Sequence, residues 1–255
     1  EPETPTEPET PTEPETPTEP ETPDEPDPPN AIVPTANIRA AAAEYGIAED
    51  SNAYRALTSI NTVYADRLTE SQKGRLLLFL FEGCGENLDP DVRMGGMAVV
   101  VRDGSIVHIN RRSSSLPDWP FDPARNYGTP TPTLMSGIYS IVPVNHYSTW
   151  GHCAAFNVQY DRVLRFWSRD SWYESNSGAI NIHRRNNNAR STSWLSSLGC
   201  QVIGYSGAGT EDDFARFAKA AGLIDDWGDG STLYQHYVTG TYILDRSFAQ
   251  DYLTA

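Results

Sequence analysis

The chain has 255 residues and a formal charge of −15 at pH 7, and this charge is concentrated at one end. Residues 1–30 hold eleven acidic residues, no Lys or Arg and eleven of the nineteen prolines, whereas the other 225 residues hold 23 acids and 19 bases. An acidic tail on a nearly neutral body argues against nucleic acid as a partner, and no apolar run approaches the roughly 20 residues of a membrane span. We expect one or two domains with a sizeable core.

The tail is built from the repeat E-P-E-T-P-T, which fills residues 1–23. Prolines every three residues, with like charges between them, favour an extended, polyproline-like chain. The tail also lacks the apolar side chains that would offset the entropy of ordering it. We therefore predict that residues 1–30 are a disordered linker that acts as a spacer; the alternative is a tail that serves solubility alone.

Residues 31–94 are predicted to form a helical segment. Residues 40–43 are a run of alanines, and residues 53–68 space their apolar side chains at threes and fours, which is typical of an amphipathic helix. A capping-box sequence at residues 69–72 precedes the apolar run 76–81, for which we predict a further helix that ends at the following Gly-Cys-Gly. The segment is either a small subdomain or a helical cover on the body.

From residue 95 onward the sequence is rich in short β-forming runs. We predict a fold that is mainly β with α additions, a β-sandwich or barrel-like body over residues 95–255. The dipeptide Asp103-Gly104 predicts a hairpin turn, and residues 210–221 predict a helix. The predicted strands cover residues 97–102, 106–110, 137–144, 154–159, 163–167, 179–182, 202–205 and 238–244.

The residues best suited to covalent chemistry are His183, at the end of a predicted strand, and Cys200, which follows a glycine after a polar loop. A glycine permits a sharp turn, and the N–H groups of such a turn can stabilise an oxyanion. A thiol becomes a good nucleophile when its pKa is lowered or a base lies beside it. His183 is the best candidate base for Cys200; the alternative is that both are core residues without a chemical role.

Other cysteine and histidine arrangements are less suited to a site. His152 and Cys153 are adjacent in a predicted strand, so their side chains point to opposite faces and do not easily pair. The five histidines and three cysteines show no spacing typical of a metal site, and we expect no metal and no cofactor. A disulfide between Cys84 and Cys153 stays open, because sequence does not show their distance.

Residues 178–200 resemble the catalytic motif of the L,D-transpeptidase (YkuD-type) family, in which a strand ending in His is followed, after a loop, by Ser/Thr-His-Gly-Cys. Residues 180–183 are similar to that strand, and residues 197–200 to that turn. Upstream, residues 129–139 resemble the Thr-Pro…Gly-x-Phe/Tyr segment of the family. The resemblance covers roughly residues 95–205. Three departures suggest a divergent branch: Leu198 replaces the His before Gly-Cys, Arg184 replaces a small residue, and Gln201 follows the Cys.

The resemblance implies a YkuD-like fold, an extracytoplasmic location and an acyl transfer on peptidoglycan stem peptides. Cys200 would attack the carbonyl between the third and fourth stem residues while His183 takes the thiol proton, and the N–H groups of Gly199 and Cys200 would hold the oxyanion. An amine acceptor would then give a crosslink or an exchange, and water would give carboxypeptidase or endopeptidase activity. Transfer and hydrolysis both stay open.

The remaining site predictions concern residues around the dyad. Ser197 would orient the turn, Arg184 or Arg185 would bind a substrate carboxylate, and His146 and Trp172 would line the pocket. For each of these the alternative is an ordinary solvated or core side chain. Two alternatives compete for the whole chain: a non-catalytic cell-surface or wall-binding module on a Pro-rich spacer, and an antibacterial effector or phage-type lytic domain with the same dyad.

Overall fold

The computed structural model describes residues 27–86, 95–115, 134–148, 151–159, 164–168, 171–175, 180–184, 200–204, 213–226 and 233–249. For residues 148, 151–152, 164–168 and 171–175 it describes the backbone alone. The predicted disordered linker lies outside these ranges, apart from its last four residues. Among the helices in the described ranges, none is both long enough and apolar enough to cross a membrane.

Short helices precede the first strand. They are α1 (Thr35–Glu44), α2 (Asn52–Ser59), a π-helical turn (Ile60–Tyr64) and α3 (Glu70–Lys73). The Oγ of Ser51 accepts a hydrogen bond from the backbone N–H of Tyr54 at 3.1 Å, which satisfies one free donor at the start of α2. At α3 the predicted capping box forms, with the side chain of Gln72 accepting from the N–H of Thr69 at 2.8 Å.

The stretch that follows is a strand, β1 (Leu76–Glu82), so the predicted helix over residues 76–81 is wrong. All seven residues of β1 are buried, because the strand lies between two hydrophobic clusters. Its side chains alternate between them: Leu77, Phe79 and Phe81 pack with the helices, and Leu76, Leu78 and Leu80 pack on the other side. A strand covered on both faces lacks an apolar–polar alternation, and periodicity does not separate it from a buried helix.

Eight strands close into a barrel, which confirms the prediction of a mainly β fold with α additions. Around the barrel the order is β1-β10-β4-β5-β8-β9-β3-β2, and the pairs β1–β10 and β8–β9 are parallel. Strands β6 and β7 form a separate two-stranded sheet, and one later helix, α4, is Asp213–Ala220. The strands after β1 are β2 (Gly96–Arg102), β3 (Ser105–Ser114), β4 (Gly137–Ser148), β5 (Gly151–Gln159), β6 (Leu164–Ser168), β7 (Ser171–Ser175), β8 (Asn181–Arg184), β9 (Gln201–Ile203) and β10 (Gly240–Asp245).

Two local features show how the sequence builds this barrel. Asp103 and Gly104 both have positive φ, 50° and 73°, as a tight hairpin turn between β2 and β3 requires, and the predicted turn is confirmed. At the β1–β10 seam, a Cβ on Gly240 would lie 2.4 Å from the carbonyl oxygen of Leu76. The glycine therefore permits the close backbone approach that closes the barrel.

The barrel interior is filled by one cluster, and its exterior is covered unevenly. Side chains from seven strands (β1, β2, β4, β5, β8, β9 and β10) meet in the interior, where Phe214 and Phe217 of α4 join them. The helices before β1 cover a different face, formed by β1, β2, β3 and β10. The alternate positions of β4, β5, β8 and β9 point away from the interior cluster, and these positions carry the polar residues described next.

Candidate active site

Cys200 and His183 lie on the same face of two neighbouring strands. The parallel strands β8 and β9 pair Ile182 with Gln201 and His183 with Val202. Because side chains alternate along a strand, His183 and Val202 share the face opposite to the interior residue Ile182, and Cys200, two residues before Val202, shares it as well. The backbone N–H of Asn181 donates a hydrogen bond to the Sγ of Cys200 at 3.4 Å. The thiol of Cys200 therefore lies beside β8.

The ring of His183 is oriented by the backbone. His183 is 7% exposed, and its Nδ1 lies 2.6 Å from the carbonyl oxygen of Arg184. A carbonyl only accepts hydrogen bonds, so Nδ1 carries the hydrogen and Nε2 keeps its lone pair in the neutral ring. This is the tautomer that a general base needs, with Nε2 as the atom that takes the proton.

A second imidazole lies against the first. His146 of β4 stacks on His183 with ring centroids 4.3 Å apart and an interplanar angle of 9°. The Nδ1 of His146 lies 3.0 Å from the side-chain Nδ2 of Asn181. Because an amide NH₂ only donates, the Nδ1 of His146 accepts and its hydrogen is on Nε2. The two stacked rings therefore hold opposite tautomers.

The amide of Asn181 is itself held by the neighbouring strand. Asn157 of β5 is the direct partner of Asn181 in β8, and its Nδ2 donates to the Oδ1 of Asn181 at 2.9 Å. The side chain of Gln159 donates in turn to the Oδ1 of Asn157. This chain of amides ends on His146. Asn157 and Asn181 were not predicted as site residues. Each is a polar residue on the outer face of its strand, and only the pairing of β5 with β8 shows that the two amides meet.

Burial sets the protonation of the site. Burial and, to a smaller extent, the neighbouring imidazole of His146 lower the pKa of His183 to about 4. Burial also lowers the pKa of His146. It raises the pKa of the Cys200 thiol, an effect that the N–H of Asn181 partly offsets. At pH 7 the site therefore holds a neutral thiol and neutral imidazoles, which differs from the lowered thiol pKa that the sequence argument allowed.

The structure describes only part of the predicted surroundings of the dyad. Arg184 pairs with Ile203, an interior residue, so it lies on the face of β8 opposite to His183. Its described contribution to the site is the backbone carbonyl that orients His183. Trp172 lies in β7 opposite Trp167, and its side chain is outside the described part. Ser197, Gly199 and Arg185 also lie outside the described residues, and their predicted roles stay predictions.

The structure also bears on the question of a disulfide and on metal binding. Cys84, Cys153 and Cys200 are all free thiols. Cys153 is the direct partner of His146 across β4 and β5, so it lies on the face of the candidate site. The stacked rings of His146 and His183 lie in nearly parallel planes, so their ring nitrogens do not converge on one ion. Within the described residues, no group of three or more His, Cys, Asp or Glu side chains could hold a metal ion.

Comparisons with protein-family models, with curated proteins and with solved structures found no match to this chain. Function is therefore inferred from the geometry of the site and from the resemblance of residues 178–200 to a known catalytic motif.

Proposed function

We propose that the protein is a cysteine-dependent acyltransferase or peptidase that acts on peptidoglycan stem peptides through a Cys200 thioester. The observation that carries the proposal is the shared face of β8 and β9, on which the His183 base of β8 and the Cys200 thiol, directly before β9, lie together. The order of His before Cys, with this pairing of their strands, supports a relation to the L,D-transpeptidase (YkuD-type) fold. An extracytoplasmic location is part of the same proposal.

The proposed reaction begins with two neutral groups. The Sγ of Cys200 attacks the carbonyl carbon of the stem peptide while its proton passes to the Nε2 of His183. The C–N bond breaks, and the imidazolium returns the proton to the departing amine. An acceptor amine or a water molecule then attacks the thioester and loses a proton to His183. The C–S bond breaks, and the imidazolium returns that proton to the Sγ of Cys200. Because the N–H at Nδ1 stays bonded to the carbonyl of Arg184, Nε2 takes and returns the proton in every step.

The raised pKa of the Cys200 thiol determines its protonation state before the attack. Because burial raises its pKa, Cys200 is a neutral thiol in the resting site, and in this proposal it is deprotonated only as it attacks the carbonyl. An imidazole whose pKa is about 4 is neutral at physiological pH and so is always available as the base. An imidazole with a low pKa is a weak base, which slows the removal of the thiol proton. The proposed oxyanion donors would offset this by stabilising the transition state.

The test is turnover of purified muropeptides by the wild type and by matched cysteine variants. Cys200→Ser is expected to lower the rate by more than roughly a thousandfold, the usual scale for loss of a catalytic nucleophile. Cys153→Ser removes a thiol from the same face and is expected to keep the activity. Turnover in ¹⁸O-labelled water separates the two outcomes of the thioester, because only hydrolysis places the label in the product. An active Cys200→Ser protein would contradict the proposal.

One observation favours a second candidate, a wall-binding module without catalysis. A half-buried thiol with a raised pKa beside a buried histidine with a lowered pKa is also what two inert side chains show. This candidate predicts that the wild type and Cys200→Ser sediment equally well with insoluble peptidoglycan and that neither alters muropeptides. Turnover by the wild type would remove it.

A further inference from the structure

The amide chain that ends on His146 has no part in the reaction steps above. It joins β5, β8 and β4 through Asn157, Asn181 and His146, and it ends at a ring stacked on the proposed base His183. The backbone of Asn181 also contacts the Sγ of Cys200. One residue therefore contacts the thiol through its N–H and, through its side chain, the imidazole that stacks on the base.

We propose that Asn181 is a positioning residue that fixes the tautomer of His146, so that His146 stays a neutral platform under the proposed base. This inference rests on the proposed function. The Oδ1 of Asn181 is occupied by Asn157, which leaves its NH₂ group to face His146. A proton on the Nδ1 of His146 would meet that NH₂ group, so protonation of His146 there requires breaking the bond.

Because the two rings are stacked, the tautomer and charge of His146 affect the protonation and orientation of His183. Two imidazoles 4.3 Å apart repel each other when both are protonated, so a proton on either ring disfavours a proton on the other. By keeping His146 neutral and flat against His183, Asn181 holds the base in one orientation. His146, which the sequence analysis placed in the substrate pocket, becomes a support for His183 in this proposal.

Among the described residues, the four strands around the pair place few charged or titratable groups beside it. On β8 the adjacent group is Arg184, directly before β9 it is Cys200, on β5 it is Cys153, and on β4 it is Tyr147 beside His146. None of these four strands contains Asp or Glu. These strands therefore lack a carboxylate, the group that commonly orients a histidine, and the amide of Asn181 orients His146 instead.

The test replaces the amide of Asn181 with a carboxylate. In Asn181→Asp one oxygen can still accept from Asn157, while the other faces the Nδ1 of His146 and can only accept. Neutral His146 must then move its hydrogen to Nδ1, and its pKa rises because the imidazolium gains an opposite charge. We expect ¹⁵N shifts of the imidazoles to show hydrogen on Nε2 of His146 in the wild type and on Nδ1 in the variant.

A control and a second variant keep the test decisive. Asn145→Asp introduces the same charge on β4, where the Oδ1 of Asn145 accepts from the N–H of Tyr234, and is expected to leave both tautomers unchanged. His146→Phe keeps a flat ring but removes the second titrating group, so the pKa of His183 is expected to rise from its value of about 4. If Asn181→Asp does not fold, the tautomer of His146 in the wild type still tests the inference, and His146→Phe tests the effect of the stacked ring on His183.

The turnover readout is separate from the NMR readout. Asn181→Asp is expected to lower kcat roughly ten- to a hundredfold with little change in KM, because the base loses its orientation while substrate contacts remain. A wild-type His146 with hydrogen on Nδ1, or a tautomer that Asn181→Asp does not change, would overturn the inference. Correct tautomers in a protein without turnover would instead contradict the proposed function and leave the amide chain established.

Discussion

At the scale of single residues, the candidate site is a set of neutral groups whose hydrogens are placed by their neighbours. The identities of Cys200 and His183 could be predicted from the sequence, because a Gly-Cys turn and a strand-ending His are local patterns. Their protonation could not, since burial and the stacked ring of His146 arise only from strand pairing. The same holds for Asn181, whose amide gains its role from two other strands.

The protonation of Cys200 leads to a prediction about its intrinsic reactivity. We expect iodoacetamide to modify Cys200 slowly at pH 7 and at a rate that increases through and above about pH 9, because burial raises the pKa of the thiol from that value. Peptide mapping assigns the label among the three cysteines. His183→Gln is expected to leave this profile nearly unchanged, because the neutral imidazole does not stabilise a thiolate in the absence of substrate.

A rapid alkylation of Cys200 that is independent of pH between 5 and 8 would contradict this prediction. It would indicate a thiolate–imidazolium pair, and His183→Gln would then abolish the rapid phase.

At the scale of elements, the site depends on how β9 is held. Gln201 follows Cys200 and points into the barrel, where its Oε1 accepts a hydrogen bond from the hydroxyl of Tyr242 in β10 at 2.9 Å. Both side chains are buried. The predicted strands at 97–102 and 137–144 are confirmed with shifted bounds, whereas β1 was predicted as a helix. Both β1 and β2 are covered on both faces, so an apolar–polar alternation marks neither of them. The residue types differ: β2 is rich in β-branched valine, whereas β1 consists mainly of Leu and Phe, and leucine also favours a helix.

The bond between Tyr242 and Gln201 can be tested by removing one hydroxyl. Tyr242→Phe is expected to lower the free energy of unfolding by about 1 to 2 kcal/mol, the usual scale for a buried hydrogen bond. It is also expected to lower turnover, because Cys200 immediately precedes Gln201. Urea denaturation measures the first effect and muropeptide turnover the second.

Tyr237→Phe provides the matched control, since Tyr237 is 72% exposed and loses a hydroxyl at the surface. Equal stability of the two variants would show that the bond inside the barrel does not hold β9.

At the scale of the whole molecule, the closed barrel brings distant parts of the sequence to one site. The face that carries His146, Asn157, Asn181 and Cys200 is formed by β4, β5, β8 and β9, and it exists because β8 and β9 pair in parallel within the closed ring. A mainly β body could be predicted from the density of short strands. The order of the strands and the parallel β1–β10 seam could not, because no local pattern specifies which distant strand becomes a neighbour.

Whether Cys200 forms a covalent intermediate is tested by the intact mass of the protein after brief mixing with muropeptides and an acid quench. We predict a mass increase equal to the acyl part of the stem peptide, mapped to Cys200 and released by hydroxylamine. The adduct is expected in Cys153→Ser and not in Cys200→Ser. Product formation by a wild type that carries no adduct, or an adduct on another residue, would contradict the claim that Cys200 is the nucleophile.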